Sequence, residues 1–267
     1  MNSYDKLNNS LKEAGSMLCV GLDTDILKLP EGISKNIDGI IEFNRIIIEH
    51  TSDITAAYKI NYAFYEQYGH DGFIAIDKTM SFIPGNKFVI ADAKRGDIGN
   101  TSKSYAKACF ETFSSDAITV SPYMGSDSVK PFLEYTDKMV FLLALTSNPG
   151  SNDFQRLISD NKPVYQHVIT TSSKWSDYKK LGFVVGATHP DELKQIRNIV
   201  PKNPLLIPGV GTQGGDIDGV INANQNAPAL VNVSRDVIYA SAEIGFEKKV
   251  REKAEFYKSK LVWYNEG

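Results

Sequence analysis

The sequence predicts an α/β fold, a TIM (β/α)8 barrel preceded by an extra N-terminal helix. Eight short apolar runs alternate along the chain with stretches of amphipathic, helical periodicity, which is typical of parallel strands and the helices that cover them. The chain has 267 residues, a length that suits one such barrel. A doubly wound sheet is the alternative, but it usually has fewer strands. No linker-like tract divides the sequence, so we expect a single domain over residues 1–267.

The predicted strands are rich in Val, Ile, Leu and Ala and do not alternate strictly between apolar and polar residues. Parallel strands that are covered on both faces have this composition. In chain order they are Met17–Leu22, Ala56–Ile60, Phe88–Ala91, Ala117–Ser121, Met139–Leu145, Phe183–Gly186, Leu205–Pro208 and Leu230–Val233.

The predicted helices carry apolar residues at three- and four-residue spacing. Leu7 and Leu11 lie one turn apart and predict the extra helix, over Tyr4–Ala14, before the first strand. The helical spacing of Ile40, Ile41, Asn44, Ile47 and Ile48, opposite a polar face, predicts a helix after that strand. The same periodicity predicts helices over Ser102–Phe113, Asp191–Ile199 and Ala242–Leu261.

The composition is that of an ordinary globular protein and argues against several function classes. The net charge is −3, from 29 basic and 32 acidic residues, and no basic stripe is present, so we expect no nucleic-acid partner. Cys19 and Cys109 lie in apolar surroundings without metal-ligand spacing, which argues against a structural zinc site or a disulfide framework. The sequence shows no signal peptide and no apolar run of about 20 residues. We therefore expect a cytoplasmic protein that does not bind a membrane.

The most informative stretch follows the third predicted strand and reads Asp92-Ala-Lys94-Arg-Gly-Asp97-Ile98. Side chains alternate along a strand, so Asp92 and Lys94 should point to the same face, whereas Asp97 belongs to the following loop. Lys59 ends the neighbouring second strand. These side chains, with Asp97 as a candidate fourth member, form an alternating charge array that is either catalytic or a structural ion-pair network. Chemistry in barrels is found at this end of the strands, which favours catalysis.

Asp23 and Ser147 are two further polar residues that follow predicted strands. Asp23, after the first strand, either binds a sugar hydroxyl or caps the next turn, and the residue alone does not decide between these roles. Ser147 lies in Thr-Ser-Asn-Pro-Gly after the fifth strand. It either hydrogen-bonds a heteroaromatic edge or belongs to an ordinary turn, and local sequence alone favours the turn.

A glycine-rich loop, Pro208-Gly-Val-Gly-Thr-Gln213-Gly-Gly, follows the seventh predicted strand. Glycines allow backbone N–H groups to approach an anion closely, and the loops after strands seven and eight of a barrel commonly bind phosphate. Arg235, after the eighth strand, supplies a guanidinium that matches phosphate geometry. The loop lacks the spacing of a Walker or dinucleotide-binding motif. Together, the loop and Arg235 predict a phosphate site.

In combination, these motifs resemble the orotidine 5′-monophosphate decarboxylase family, in its longer bacterial and archaeal subgroup. The resemblance covers essentially the whole chain in order, from Gly-Leu-Asp23 and Tyr-Lys59 through the Asp92–Ile98 stretch to the Ser147, Gln213 and Arg235 motifs. It implies an enzyme that converts orotidine 5′-monophosphate to UMP and carbon dioxide in de novo pyrimidine biosynthesis. It also implies that no cofactor and no metal take part, and that two subunits share their active sites in a homodimer.

The resemblance implies a role for each residue of the charged array. Lys94 would protonate C6 of the pyrimidine as carbon dioxide leaves, Asp92 would lie beside the substrate carboxylate, and Lys59 would orient that carboxyl group and contact the ribose. The residues that would reach into the neighbouring subunit's site are Asp97, Ile98 and Thr101.

The same resemblance assigns the remaining substrate contacts. Asp23 would hold a ribose hydroxyl, and Ser147 would contact the pyrimidine. Gln213 and Arg235 would hold the phosphate. Gripping this remote group can drive closure of the Gln213 loop and so contribute to transition-state binding.

Two other functions compete with this one. Hexulose-phosphate synthase and keto-gulonate-phosphate decarboxylase share the barrel and the Asp-x-Lys-x-x-Asp pattern. They use magnesium, with an acidic residue at the end of strand two, where this chain has Tyr-Lys59-Ile-Asn61. The other competitor is a non-catalytic barrel that binds a nucleotide phosphate. Such a module has no need of Asp92 beside Lys94.

Overall fold

The computed structural model describes residues 1–187, 190–210 and 216–263. Within them, eight parallel strands close into a barrel with helices outside it, which confirms the predicted TIM (β/α)8 fold. The barrel order is β1-β2-β3-β4-β5-β8-β9-β10, and β10 pairs with β1. The strands are β1 (Leu18–Leu22), β2 (Ala57–Asn61), β3 (Phe88–Arg95), β4 (Ala117–Val120), β5 (Met139–Leu145), β6 (Ile158–Ser159), β7 (Lys162–Pro163), β8 (Leu181–Val185), β9 (Leu205–Pro208) and β10 (Ala229–Val233).

The helices pack around the barrel and bury its strands. None of those in the described ranges is long and apolar enough to cross a bilayer. They are α1 (Ser3–Ala14), α2 (Ile37–Thr51), α3 (Ala63–Glu66), α4 (Gly69–Phe82), α5 (Gly99–Lys107), α6 (Ser126–Leu133), α7 (Ser151–Phe154), α8 (Val164–Ser172), α9 (Pro190–Ile199), α10 (Ile217–Asn224), α11 (Arg235–Ile238) and α12 (Phe246–Lys260).

Helix α1 is the predicted extra N-terminal helix, and it covers the end of the barrel at which the strands begin. Leu7 and Leu11 are fully buried beneath it. The Lys6 ammonium pairs with the Asp116 carboxylate, just before β4, at 2.7 Å. Ser10 donates a hydrogen bond to the backbone carbonyl of Ala56, just before β2. This end of the barrel is therefore closed, and the opposite end is left for a site.

Strand β3 is longer than the sequence predicts, because it continues beyond Ala91 through the charged residues to Arg95. Its neighbour β2 pairs with it as far as Asp92, which keeps the backbone extended there. On the other side, the register with β4 shifts between Ala91 and Arg95. Lys94 lies in this bulge with a φ of +47°, a conformation that costs a non-glycine residue about 1–3 kcal/mol.

Two further differences concern segments outside the barrel wall. The hairpin β6–β7 was not predicted, and its turn residues Asp160 and Asn161 both have positive φ, as a tight two-residue hairpin turn requires. The predicted helix Ser102–Phe113 begins earlier, at Gly99, and changes to a π-helical turn over Ala108–Thr112. Neither difference alters the order of the barrel strands.

Candidate active site

A cavity of about 220 Å3 opens at the carboxyl ends of the barrel strands. Its lining comes from β2 and β3, and from the ends of β1, β9 and β10 with the residues that follow them. In TIM barrels this end of the strands carries the chemistry. Five of the residues predicted from the sequence line the cavity: Asp23, Lys59, Asp92, Lys94 and Arg235.

Four of these side chains form a continuous chain of alternating charge. The Lys59 ammonium lies 3.3 Å from the Asp23 carboxylate and 2.8 Å from Asp92 Oδ2. The other oxygen of Asp92, Oδ1, accepts a hydrogen bond from the Lys94 ammonium at 2.7 Å. The order is thus Asp23–Lys59–Asp92–Lys94, in which Asp23 joins the array at its Lys59 end.

Burial differs sharply along this array. Lys59 is 4% exposed and Asp92 is 8% exposed, whereas half of the Lys94 side chain, which also lines the cavity, is exposed. Charges as deeply buried as the first two are retained in proteins when they are paired or used. Lys94 is therefore the more accessible of the two ammonium groups in the array.

The electrostatics keep the buried members ionised. Burial alone would raise the pKa of Asp92, but the ammonium groups of Lys59 and Lys94 outweigh it and hold that pKa well below its usual range. Burial alone would lower the pKa of Lys59, but the carboxylates of Asp23 and Asp92 outweigh it and raise that pKa. Both groups are charged at neutral pH. By contrast, burial raises the pKa of the nearby Cys19 thiol to about 12, so Cys19 is not a thiolate nucleophile.

Strand register explains why these side chains meet. Lys59 in β2 lies opposite Gly21 in β1, and Asn61 at the end of β2 lies opposite Asp92 in β3. A side chain at position 21 would collide with the Ser234 hydroxyl, since an added Cβ would lie 1.8 Å from it. Glycine at this position therefore allows the end of β10 to approach β1 and to bring the Ser234–Arg235 segment to the cavity.

The segment that carries Asp23 is held from two sides. The Tyr239 hydroxyl accepts a hydrogen bond from the backbone N–H of Asp25 at 2.7 Å and donates one to the backbone carbonyl of Asp23. The buried Tyr65 hydroxyl donates to the carbonyl of Leu22 at 2.9 Å. These bonds fix the backbone on both sides of Asp23, so its carboxylate is presented to Lys59 by a rigid support.

The other predicted site residues that the structure describes do not line this cavity. Asp97, Ile98 and Thr101 lie on the loop after β3 and the start of α5, and Ile98 is 57% exposed. Ser147 follows β5 and packs against Gly186 at the end of β8. Gln213 lies outside the residues that the structure describes.

The cavity also contains residues that the sequence analysis did not single out. Asn61 and Asn232 line it, and Ser234 contributes its wall beside Arg235. Asn232 is a polar residue within the otherwise apolar run Leu230–Val233, which is the signal that could have identified it. In the described ranges, no group of three or more His, Cys, Asp or Glu residues is placed to hold a metal ion.

Comparison with known proteins decides which family this barrel represents. Residues 16–255 match the model of the family described as Orotidine 5'-phosphate decarboxylase / HUMPS. The chain belongs to that family. The matched range includes every member of the charged array and Arg235.

Similar proteins carry the decarboxylase name over nearly the full chain. A curated orotidine 5'-phosphate decarboxylase of Christiangramia forsetii is 47% identical, and the match covers 98% of each chain. The solved OMP decarboxylase of Leishmania donovani is 36% identical with a TM-score of 0.83, covering 97% of this chain and all of that one. The UMP synthase of the same organism is 37% identical with a TM-score of 0.85, but this chain spans only 57% of its length.

Proposed function

We propose that this protein decarboxylates orotidine 5′-monophosphate to UMP and carbon dioxide, with the Asp23–Lys59–Asp92–Lys94 array at its catalytic centre. The observation that carries the proposal is the contrast between Lys94 and its neighbours. Lys94 offers an accessible ammonium to the cavity while a buried, ionised Asp92 holds it at 2.7 Å. A fixed cation of this kind stabilises negative charge that develops on a bound substrate without having to reorganise.

Lys94 serves as the proton donor in this proposal. Breaking the bond between C6 and the carboxylate leaves an electron pair at C6 as neutral carbon dioxide departs. The Lys94 ammonium stabilises that pair and transfers one proton to C6, which completes UMP and leaves a neutral amine. Half of the side chain is accessible, so water can return the proton before the next turnover.

Asp92 and Lys59 prepare the site for this step. Asp92 stays ionised and lies beside the substrate carboxylate, where the like-charge contact is relieved as carbon dioxide leaves. Lys59 is clamped between Asp23 and Asp92, so it orients the substrate carboxyl group and contacts the ribose from a fixed position.

The remaining contacts secure the parts of the substrate that do not react. Arg235 and Gln213 hold the phosphate, and the position of Arg235 at the cavity lining supports this. Asp23 binds a ribose hydroxyl and Ser147 contacts the pyrimidine. Binding energy from such remote groups can contribute to the transition state at C6.

We further propose that two copies of the chain share their active sites. Ile98, Tyr123 and Met124, on the loops after β3 and β4, are exposed by 57%, 90% and 45%, and a partner subunit would cover such apolar surface. Asp97 and Thr101 flank Ile98 on the segment after β3 and would reach the partner's cavity. The two cysteines are free and buried, which supports the reducing cytoplasm as the compartment.

The proposal needs no metal or cofactor. The magnesium-dependent sister enzymes have an acidic residue at the end of the second strand, whereas this chain has Asn61 there. The chemistry described above uses only the ammonium and carboxylate groups of the array.

An ultraviolet assay of orotidine 5′-monophosphate with purified protein and EDTA tests the proposed function. We expect loss of substrate absorbance with UMP as the product, at the same rate with and without EDTA. Turnover that EDTA abolishes and magnesium restores would contradict the metal-free mechanism. UMP binding without turnover would indicate a binding barrel instead.

A further inference from the structure

Thr119 in β4 links the backbone of Lys94 to the carboxylate of Asp92. Its hydroxyl accepts a hydrogen bond from the Lys94 backbone N–H at 3.0 Å. The same hydroxyl donates its proton to Asp92 Oδ1 at 2.9 Å. Oδ1 is also the oxygen that accepts from the Lys94 ammonium. The single buried hydroxyl of Thr119 therefore contacts both the backbone of Lys94 and the carboxylate that holds the Lys94 ammonium.

The bulge in β3 explains why a side chain is needed at this place. Ala91 lies opposite Ile118 in β4, but the next paired residue, Arg95, lies opposite Val120. Three residues of β3, from 92 to 94, therefore face the single residue Thr119. The Lys94 N–H has lost its regular place in the strand ladder, and the threonine hydroxyl acts as its acceptor.

The Thr119 hydroxyl forms its hydrogen bonds with β3 and not with its own strand, β4. Thr119 is 1% exposed, and its backbone lies in the regular ladder between β4 and β5, opposite Phe141. Both of its side-chain hydrogen bonds go to the bulge of β3. Its only proton is used on Asp92, so it has none left to offer a substrate.

We propose that Thr119 is a positioning residue for the reaction, an inference that rests on the proposed decarboxylase function. Its hydroxyl fixes the backbone of Lys94 in the positive-φ conformation and aligns the Asp92 carboxylate with the ammonium. The distance between the Lys94 ammonium and C6 of a bound substrate is thereby set from the neighbouring strand. Misplacement of a reacting group by about 1 Å can lower a rate by about 100-fold, so the hydroxyl acts on kcat and not on substrate affinity.

The test compares Thr119→Val, which keeps the shape but removes the hydroxyl, with Thr119→Ser, which keeps the hydroxyl. We expect Thr119→Val to lower kcat for orotidine 5′-monophosphate by at least about tenfold. Its KM and its affinity for UMP should change by less than about threefold. Thr119→Ser should keep kcat within about threefold of the unmodified protein. If the valine variant fails to fold, Thr119→Ala takes its place.

Thr55→Val is the matched control for loss of a buried hydroxyl. Thr55 is fully buried, and its hydroxyl bonds the carbonyls of Leu18 and Ala57 at the closed end of the barrel. We expect a lowered melting temperature with an unchanged kcat. If Thr55→Val lowers kcat as much as Thr119→Val does, the effect is general destabilisation, and the positioning role is wrong.

Three further results would overturn the inference. Equal kcat in Thr119→Val and the unmodified protein would show that the hydroxyl is dispensable. An equally low kcat in Thr119→Ser and Thr119→Val would show that the hydroxyl is not the group that matters. If the unmodified protein itself does not turn over orotidine 5′-monophosphate, the proposed function fails and this inference fails with it, whereas the first two results leave that function intact.

Discussion

At the scale of single residues, the buried Lys59 determines how the free energy of unfolding depends on pH. It joins Asp23 to Asp92 in surroundings from which water is largely excluded. Removing one partner from a buried ion pair leaves an uncompensated buried charge. This charge destabilises the fold by more than the intact pair stabilises it. Lys59 is therefore expected to matter for the stability of the fold as well as for substrate orientation.

Lys59→Met should lower the free energy of unfolding by about 3–5 kcal/mol at pH 7. Because the folded state holds the pKa of Asp92 below its usual range, this carboxylate stabilises the fold above its unfolded pKa of about 3.9. That contribution is lost as the pH falls through the folded value. Without Lys59 the folded pKa of Asp92 rises, so the loss begins at higher pH.

Urea unfolding at pH 7 and at successively lower pH measures both effects. Lys249→Met is the control, because Lys249 pairs with Glu252 on the surface, where both side chains are about 60% exposed. It should change the free energy of unfolding by less than about 1 kcal/mol. If Lys59→Met matches this control at every pH, the account of the buried array is wrong.

The sequence could predict the charged residues of the site but not the residues that support them. Lys59, Asp92 and Lys94 stand out because charge at the end of an apolar strand is unusual. Thr119 does not stand out, because threonine is common in strands and its role depends on a bulge in the neighbouring strand. Local sequence contains no record of such cross-strand register.

At the scale of elements, Arg197 in α9 ties together the segments that lead into β9 and β10. It is completely buried, and its guanidinium donates to the Asn224 side chain and to the carbonyls of Val200, Asn203 and Pro228. Burial lowers its pKa to about 9. The strands that deliver Arg235 and the residues before the glycine-rich loop therefore start from fixed positions.

Arg197→Lys should lower the free energy of unfolding by at least about 3 kcal/mol, because one ammonium cannot satisfy the acceptors that the planar guanidinium satisfies. Denaturant unfolding measures the change. Arg45→Lys is the control, since Arg45 pairs with Glu49 on an exposed helix face and should cost less than about 0.5 kcal/mol. Equal effects of the two substitutions would contradict the role assigned to Arg197.

The barrel strands were predictable at this scale because their apolar runs are short, regular and separated by helical patterns. All eight are present, with ends shifted by one or two residues in most cases and four in β3. The charged end of β3 was not predicted as strand, because pairing with β2 overrides the local preference there. The hairpin β6–β7 was missed because each of its strands has only two residues.

At the scale of the whole molecule, the proposed dimer with shared active sites leads to a quantitative prediction. Asp97→Ala protein and Lys94→Ala protein should each be nearly inactive. A hybrid dimer contains one site with both residues intact, so a random equimolar mixture should regain about a quarter of the unmodified activity.

Differently tagged subunits allow the hybrid dimers to be isolated and counted. The control mixture pairs Lys94→Ala with a protein that carries both substitutions, and it should regain nothing. Hybrid dimers that form but remain inactive would show that Asp97 acts within its own subunit, which would contradict the shared site.

The central claim is that Lys94 delivers the proton to C6, and Lys94→Ala tests it most directly. Turnover of orotidine 5′-monophosphate and the affinity for UMP are measured on the same preparation, with Lys78→Ala, an exposed lysine of α4, as the control. We predict that Lys94→Ala loses all detectable turnover and still binds UMP, whereas the control is unchanged. Near-normal turnover by Lys94→Ala would contradict the account.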